Sequence, residues 1–335
     1  MKVLIWCCGY EQRFAGPYLA AEAKRQGFDV RLAGTRQDPQ EMLAALQEYK
    51  PDVVFCFAIR PSLISYYERI KSTGAKLVMW YPDMTERTRD RMWRRNLAGV
   101  ADVLVFSILE TAQRYAALAP NVLWMPQYFD HHFCFGQQPE GVGVFCIPQR
   151  LDAELPIYDL CFIGSCDKLR NEWLDKLEQK YKCRFLRDGI THRTETRGSD
   201  MVEVYAQSKI AINIQRRRFI NAGDFVTSNR MYNAMGSGAF FLNHHVAKLD
   251  LVFEEELHCA MHDDTFDGLC AKIDYYLAHK HEREAIARNG QLEVLTFHTL
   301  EQRVKEYWLV MQMLHDGDTV GLPQELGAFG EWVTK

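Results

Sequence analysis

The sequence predicts an α/β protein of two consecutive domains, each built on a doubly wound parallel sheet. Three observations carry that reading. Short apolar runs alternate with helical patterns from the first residues onward, as in a parallel sheet covered by helices. The rhythm breaks over residues 129–156, where Gly, Gln and Pro gather, and then restarts. A length of 335 residues exceeds what one core usually supports, so the break separates two cores.

In the first domain, 1–128, the run Val3–Cys7 reads as a buried first strand; the opening Met1-Lys-Val-Leu-Ile-Trp is too short for a signal peptide. Further strands are expected at Asp29–Leu32, Val53–Phe57, Leu77–Trp80, Val103–Phe106 and Val122–Trp124. Helical stretches fall between them around Pro17–Gln26, Pro39–Tyr49, Pro61–Thr73 and Ile108–Ala117. After the junction at 129–156, the second domain, 157–298, offers strands at Asp159–Ile163, Arg184–Leu186, Ile210–Ile214, Ala239–Leu242 and Cys259–Met261. Its helices are expected around Lys168–Gln179, Met201–Ala206, Arg230–Met235, Phe266–His279 and Glu282–Leu292. A last long helix, about Leu300 to Leu314, and a polar tail make up 299–335. Two such sheets in succession form a cleft between facing strand ends, where open α/β sheets bind ligands.

The apolar share of 47% and charged share of 25% are those of a soluble globular chain, and the net charge of −4 gives no global pull toward nucleic acid or anionic membrane. No apolar run approaches a bilayer span, and a cytoplasmic location is expected. Ten cysteines show no paired CxxC spacing; Cys7, Cys56 and Cys161 sit in apolar runs as small hydrophobes, so neither a disulfide framework nor a zinc site is read. The histidine groups His131-His132, His244-His245 and His262-Asp263-Asp264 form no ligand set at helical spacing, and no metal is expected.

The most informative stretch is Ser228-Asn-Arg-Met-Tyr-Asn-Ala-Met-Gly-Ser-Gly-Ala-Phe-Phe-Leu-Asn243. A helix capped by Thr227 or Ser228 presents free amides and a positive dipole end, which suits a phosphate, and Arg230 in its first turn adds a planar fork of donors. Ser228, Asn229 and Arg230 are therefore candidate anion ligands. Gly236 and Gly238 let the chain turn and run close to a neighbouring strand. An ordinary helix–Gly–strand unit has the same appearance. A second candidate is Cys161-Phe-Ile-Gly-Ser-Cys-Asp-Lys-Leu-Arg170, in which a strand ends at Gly164-Ser165 and a helix starts with Asp167 as N-cap. It reads either as a phosphate-facing loop, with Arg170 at hand, or as a tight turn that needs glycine. The run Gln215-Arg216-Arg217-Arg218 is placed either to face a diphosphate or to edge a loop. Neither GxGxxG nor GxxxxGK[ST] occurs, which removes the signatures of a dinucleotide oxidoreductase and of a P-loop enzyme.

In the first domain, Trp80-Tyr-Pro-Asp83 ends a strand. Asp83 there can take a proton from an acceptor hydroxyl, cap the helix that begins near Thr85, or do both. Behind it come Arg87, Arg89, Arg91, Arg94 and Arg95 with Trp93 among them, which is a solvated helix face or an anionic acceptor site with a stacking ring.

These pieces fall in the order seen in the CgeB-like (spore-maturation-type) glycosyltransferases of the GT-B fold, which the chain resembles over most of its length. Phe162-Ile-Gly164, Ser208-Lys-Ile-Ala-Ile-Asn-Ile214 and Arg230-Met-Tyr-Asn-Ala-Met-Gly-Ser-Gly238 resemble three segments of the family pattern, as do Asp274-Tyr-Tyr-Leu, Glu282-Arg-Glu-Ala-Ile-Ala and His298-Thr299 with Arg303 downstream. Trp80-Tyr-Pro-Asp83 and Pro126-Gln-Tyr-Phe-Asp-His-His-Phe133 are similar more loosely.

The resemblance implies a GT-B architecture of two Rossmann-like domains with the last helix crossing back. It implies a nucleotide-diphosphate-sugar as co-substrate, held by the second domain, with no further cofactor. The acceptor would lie in the first domain, and polysaccharide, protein, metabolite and a modified DNA base all fit; Arg87, Arg91 and Trp93 are its candidate contacts. Arg230 and the following amides would face the diphosphate, with Gly164, Ser165, Arg170 and Arg216 beside them. The family's helix Glu, which would bind the nucleotide ribose, is replaced here by Asn233, an amide that still bonds hydroxyls but lacks the charge. The Glu-x7-Glu arrangement of many retaining enzymes is not evident, which favours inversion with Asp83 as base and without metal. The competing reading is a GT-B-shaped binding or scaffold protein without turnover.

Overall fold

The computed structural model describes residues 1–7, 15–33, 39–57, 61–81, 99–116, 118–119, 121–129, 158–165, 167–181, 185–188, 198–216 and 227–318. The chain divides into two compact units, one of Met1–Pro126 with Leu300–Lys335, the other of Gln127–Thr299.

The first unit is a six-stranded, all-parallel sheet. Its strands are β1 (Val3–Cys7), β2 (Val30–Ala33), β3 (Val53–Phe57), β4 (Lys76–Tyr81), β5 (Val103–Phe106) and β6 (Val122–Trp124), in the order β2-β1-β3-β4-β5-β6. Helices α1 (Ala15–Arg25), α2 (Pro39–Tyr49), α3 (Ile64–Ser72) and α4 (Leu109–Ala116) connect them. Helices on both faces leave no solvated side, and every residue of β1 and β3 is accordingly buried. The predicted elements lie within one to three residues of the observed ends. The exception is Pro61–Thr73, which opens as a 3₁₀ turn at Pro61–Leu63 before α3 begins.

The second unit carries β7 (Tyr158–Ile163), β8 (Phe185–Asp188), β9 (Ser208–Ile212), β10 (Phe240–His244) and β11 (Ala260–His262), again all parallel. Helices α5 (Lys168–Lys180), α6 (Gly198–Ala206), α7 (Asn229–Gly236), α8 (Phe266–Ala278) and α9 (Lys280–Phe297) complete it. Its core joins Leu160 and Phe162 of β7, Ile210 and Ile212 of β9 and Phe240 and Leu242 of β10 to Trp173, Leu174 and Leu177 of α5. Gly238 takes φ +84° between α7 and β10, a left-handed turn that glycine makes without a Cβ clash.

The strand order here is β8-β7-β9-β10-β11. The chain winds one way from β7 to β8 and the other way from β9 onward, so the order reverses between β7 and β9. In open α/β sheets such a reversal is where ligands bind, outside the carboxyl ends of the strands.

The final helix, α10 (Leu300–Asp316), belongs to the first unit. Trp308 stacks on Phe28 at 4.1 Å, Tyr307 meets Phe55 at 5.1 Å, and Gln26 Nε2 donates to the Glu301 carbonyl at 3.1 Å. Arg303, wholly buried, donates to the Pro126 carbonyl at 3.2 Å and to both oxygens of Glu306 at 2.7 and 2.5 Å.

Candidate functional site

At the carboxyl end of β7 the backbone passes Ile163, Gly164 and Ser165; beside it, β9 runs out into Asn213, Ile214, Gln215 and Arg216. The N-terminus of α7 arrives at the same place. Three arginines converge there, each held by oxygens of these strand ends.

Arg230, the second residue of α7, donates from Nε to the Ile163 carbonyl at 2.5 Å and from Nη1 to Asn213 Oδ1. Its guanidinium lies 4.5 Å from the centre of the Phe162 ring, a cation–π contact against a buried β7 side chain. Gly164 makes this possible: a Cβ at position 164 would fall on the guanidinium itself. Arg216 donates from Nη2 to Ser165 Oγ. Arg170, on α5, is buried and donates from Nε to the Ile214 carbonyl at 2.6 Å and from Nη1 to the Ser165 carbonyl at 2.7 Å. It thereby ties the ends of β7 and β9 together. Its own helix is capped as its sequence predicts, Asp167 accepting from the Arg170 amide at 3.0 Å.

Ser228 is the N-cap of α7, with extended backbone and no side-chain capping bond. Its Oγ is buried and has no hydrogen-bond partner among the described residues. Asn229 and Arg230 follow in the first turn, where amides have no partner within the helix. Asn233, one turn on, is half-buried with Nδ2 3.8 Å from Met201 Sδ of α6.

The structure thus brings together Gly164, Ser165, Arg170, Arg216, Ser228, Asn229 and Arg230, with Asn233 on the same helix. Asp83, Arg87, Arg91 and Trp93 lie outside the described residues. Before them, β4 ends on Trp80, buried and stacked on Phe57 at 4.4 Å, and Tyr81.

Sequence reasoning missed a buried polar group behind Arg230. Asn213 Nδ2 donates to Asn243 Oδ1 at 2.7 Å, and His262 Nε2 lies 3.0 Å from the Asn213 carbonyl. The other nitrogen of His262 faces the Asp263 carbonyl at 2.7 Å, and burial holds its pKa below the ordinary histidine value. The signal was present: Asn213 lies within an otherwise apolar run and Asn243 ends one, and a polar side chain there needs a buried partner. Cys161 and Cys259 are inert by contrast, burial pushing both thiols up to about 12.

Among the described residues no group of three or more His, Cys, Asp or Glu is placed to hold a metal ion, and no helix is long and apolar enough to cross a membrane. A hollow of about 540 Å³ elsewhere on the second unit is lined by Glu256, Asp263, Lys272, Tyr275 and Glu282 among others. It includes none of the candidate anion-binding residues at the ends of β7 and β9 or on α7, and its acidic lining repels an anion. Guanidinium groups and first-turn helix amides gathered at one place are the kind of chemistry that can hold a cluster of negatively charged oxygens.

Residues 148–308 match the model of a family described as glycosyl transferase-like. No curated protein matches the chain. Among solved structures, a glycosyltransferase from Rickettsia africae superposes with a TM-score of 0.63 at 10% identity, covering 95% of this chain and 99% of that one. The HepE protein of Anabaena in complex with UDP gives 0.59 at 10% identity, over 92% of this chain and 100% of its own. A UDP-GlcNAc 2-epimerase from Neisseria meningitidis bound to UDP-GlcNAc gives 0.56 at 9% identity, over 94% of this chain and 100% of its own. At such identities the superpositions establish architecture alone. The chain has the GT-B fold, and its residues 148–308 are similar to the glycosyl transferase-like family.

Proposed function

We propose that this chain moves a sugar from a nucleoside-diphosphate donor to an acceptor hydroxyl, with the diphosphate bound at the reversal point between β7 and β9. The observation that carries the reading is Arg230. Its guanidinium is fixed over Phe162 beside a glycine that leaves no side chain in its way, and it sits in the first turn of α7. Breaking the bond between the anomeric carbon and the diphosphate oxygen leaves new negative charge on the departing diphosphate. Donors already in place at that oxygen lower the barrier. Arg216, the α7 amides and the buried Ser228 Oγ are further donors; Arg170 braces the loop that carries them.

On the acceptor side, Asp83 takes the hydroxyl proton as the oxygen attacks the anomeric carbon from the opposite face, so configuration inverts in one displacement. Arg87, Arg91 and Trp93 hold the acceptor, whose class is a polysaccharide, a protein, a metabolite or a modified DNA base. The order of motifs supports a kinship with the spore-maturation-type enzymes. Arginine and helix amides supply the charge compensation, so turnover proceeds without a metal; activity lost in EDTA and restored by Mn²⁺ or Mg²⁺ would refute that. UDP is the first nucleotide to test, being bound in the HepE structure.

A melting-temperature screen with UDP, GDP, dTDP, ADP and CMP, followed by Arg230→Ala, tests the donor site. One nucleotide should raise the melting temperature of the native chain, and the variant should lose most of that rise. No shift with any nucleotide would favour the scaffold reading, for which Asn233 in place of a carboxylate is the motivating observation.

A further inference from the structure

We propose that Asn213, backed by Asn243, is a positioning residue for Arg230, and that its neutrality is what leaves the arginine's charge available to the diphosphate. The inference rests on the donor-site reading above.

Arginine donates and never accepts, so the oxygen of the Asn213 amide must face Nη1. That choice turns Nδ2 toward Asn243, whose Oδ1 accepts at 2.7 Å. Both amides are therefore fixed in orientation by the arginine. Asn213 is itself immobile: it is buried, its amide N–H donates to the Leu242 carbonyl at 2.9 Å, and His262 Nε2 lies 3.0 Å from its own carbonyl. The group that grips Nη1 is thus anchored to β9, β10 and β11 together. With Nε on Ile163 and the ring of Phe162 beneath, the guanidinium plane has one setting.

A carboxylate would serve equally well as an acceptor in that position. It would also place a full negative charge against the guanidinium, opposing a bound diphosphate. An amide orients without contributing such a charge, which suits a site that must attract phosphate oxygens.

The test measures binding of inorganic pyrophosphate and of UDP by calorimetry to the full chain carrying Asn213→Asp, Asn213→Ala, Arg230→Ala and the double variant. Asn243 can turn its amide to donate to the new carboxylate, so N213D should fold; circular dichroism checks this, and Asn213→Ser serves as a second variant if it does not. N213D should weaken pyrophosphate binding on the order of tenfold, the effect of one added negative charge a few ångströms from the ligand. N213A, or N213S in its place, should weaken it by about threefold or more, and should have no further effect in the R230A background, because it acts through Arg230.

Folded N213D binding pyrophosphate as tightly as the native chain would overturn the inference while leaving the donor site intact. So would an equal loss from N213A with and without Arg230. If Arg230→Ala itself leaves both ligands bound as before, the donor-site reading fails, and the role of Asn213 falls with it.

Discussion

Replacing Gly164 by Ala is the sharpest perturbation of the site, because it adds one methyl group and no charge. That methyl would coincide with the Arg230 guanidinium. The obstacle is the end of a flexible side chain, so Arg230 yields, while the backbone at φ +156° adds a strain of its own on any side chain there. In yielding, Arg230 gives up the Ile163 carbonyl at 2.5 Å, the Asn213 oxygen and the face of Phe162 at 4.5 Å. Hydrogen bonds to a charged group contribute about 1.5–3 kcal/mol each, and water replaces part of that once the side chain swings out. A net destabilisation of about 2–4 kcal/mol is expected, or roughly 2–4 °C of melting temperature per kcal/mol for a unit of this size. On the proposed donor site, nucleotide binding should suffer more than stability; about ten- to a hundredfold is the range for losing a charge-assisted contact. Differential scanning fluorimetry with and without UDP, together with a calorimetric titration, reads both quantities. A G164A chain that melts within a degree of the native one and binds the nucleotide equally well would mean that Arg230 does not act from beside Gly164.

Arg170→Ala should reverse that ratio, costing more stability than affinity, because its donors are spent on the Ile214 and Ser165 carbonyls; a thermal melt beside the same titration checks it. Asp83→Asn should leave nucleotide binding unchanged and abolish transfer, and near-normal turnover would remove Asp83 from the base role. Asn233→Glu should tighten nucleoside-diphosphate binding severalfold if the ribose lies against α7, with pyrophosphate, which has no ribose, as the control. Burial lowers the pKa of His262, so below pH 6.5 the unfolded chain binds a proton that the folded chain resists. Stability should therefore fall as the pH drops from 7 to 5, and His262→Gln should lose less over that interval, as urea melts at each pH would measure.

The two-sheet architecture was legible because buried parallel strands are nearly continuous apolar runs. Val3–Cys7, Val53–Phe57, Val103–Phe106 and Val122–Trp124 were readable to the residue. Strands with a polar end were read short or shifted. Ala239–Leu242 became β10 through His244, and Ile210–Ile214 became Ser208–Ile212, since pairing in the ladder, and not hydrophobicity, sets where a strand stops. The donor-side residues had local signatures: a glycine after a strand, an N-cap, an arginine in a first turn. Asn213 and Asn243 had only a pairwise one, a hydrogen bond across 30 positions that no window along the chain contains. The acceptor-side candidates Asp83, Arg87, Arg91 and Trp93 rest on sequence alone.

The arrangement at β7 also explains why its motif needs all of its parts at once. Phe162, Gly164 and Ser165 are consecutive or nearly so, yet each serves a different arginine contact. Phe162 underlies Arg230 and lies 5.8 Å from Arg170, Gly164 leaves the space Arg230 occupies, and Ser165 accepts from Arg170 through its carbonyl and from Arg216 through its hydroxyl. Strand alternation sends Phe162 into the α5 side of the core, and the chain must then turn within two residues to present the Ser165 oxygens. A longer turn would carry those oxygens away from β9 and leave Arg170 and Arg216 without a common partner. A side chain at 164 would evict the third arginine. A Phe-x-Gly-Ser ending on the first strand of such a sheet therefore gathers three arginines at the point where the strand order reverses, with Arg170 bracing the strand ends that Arg216 and Arg230 contact.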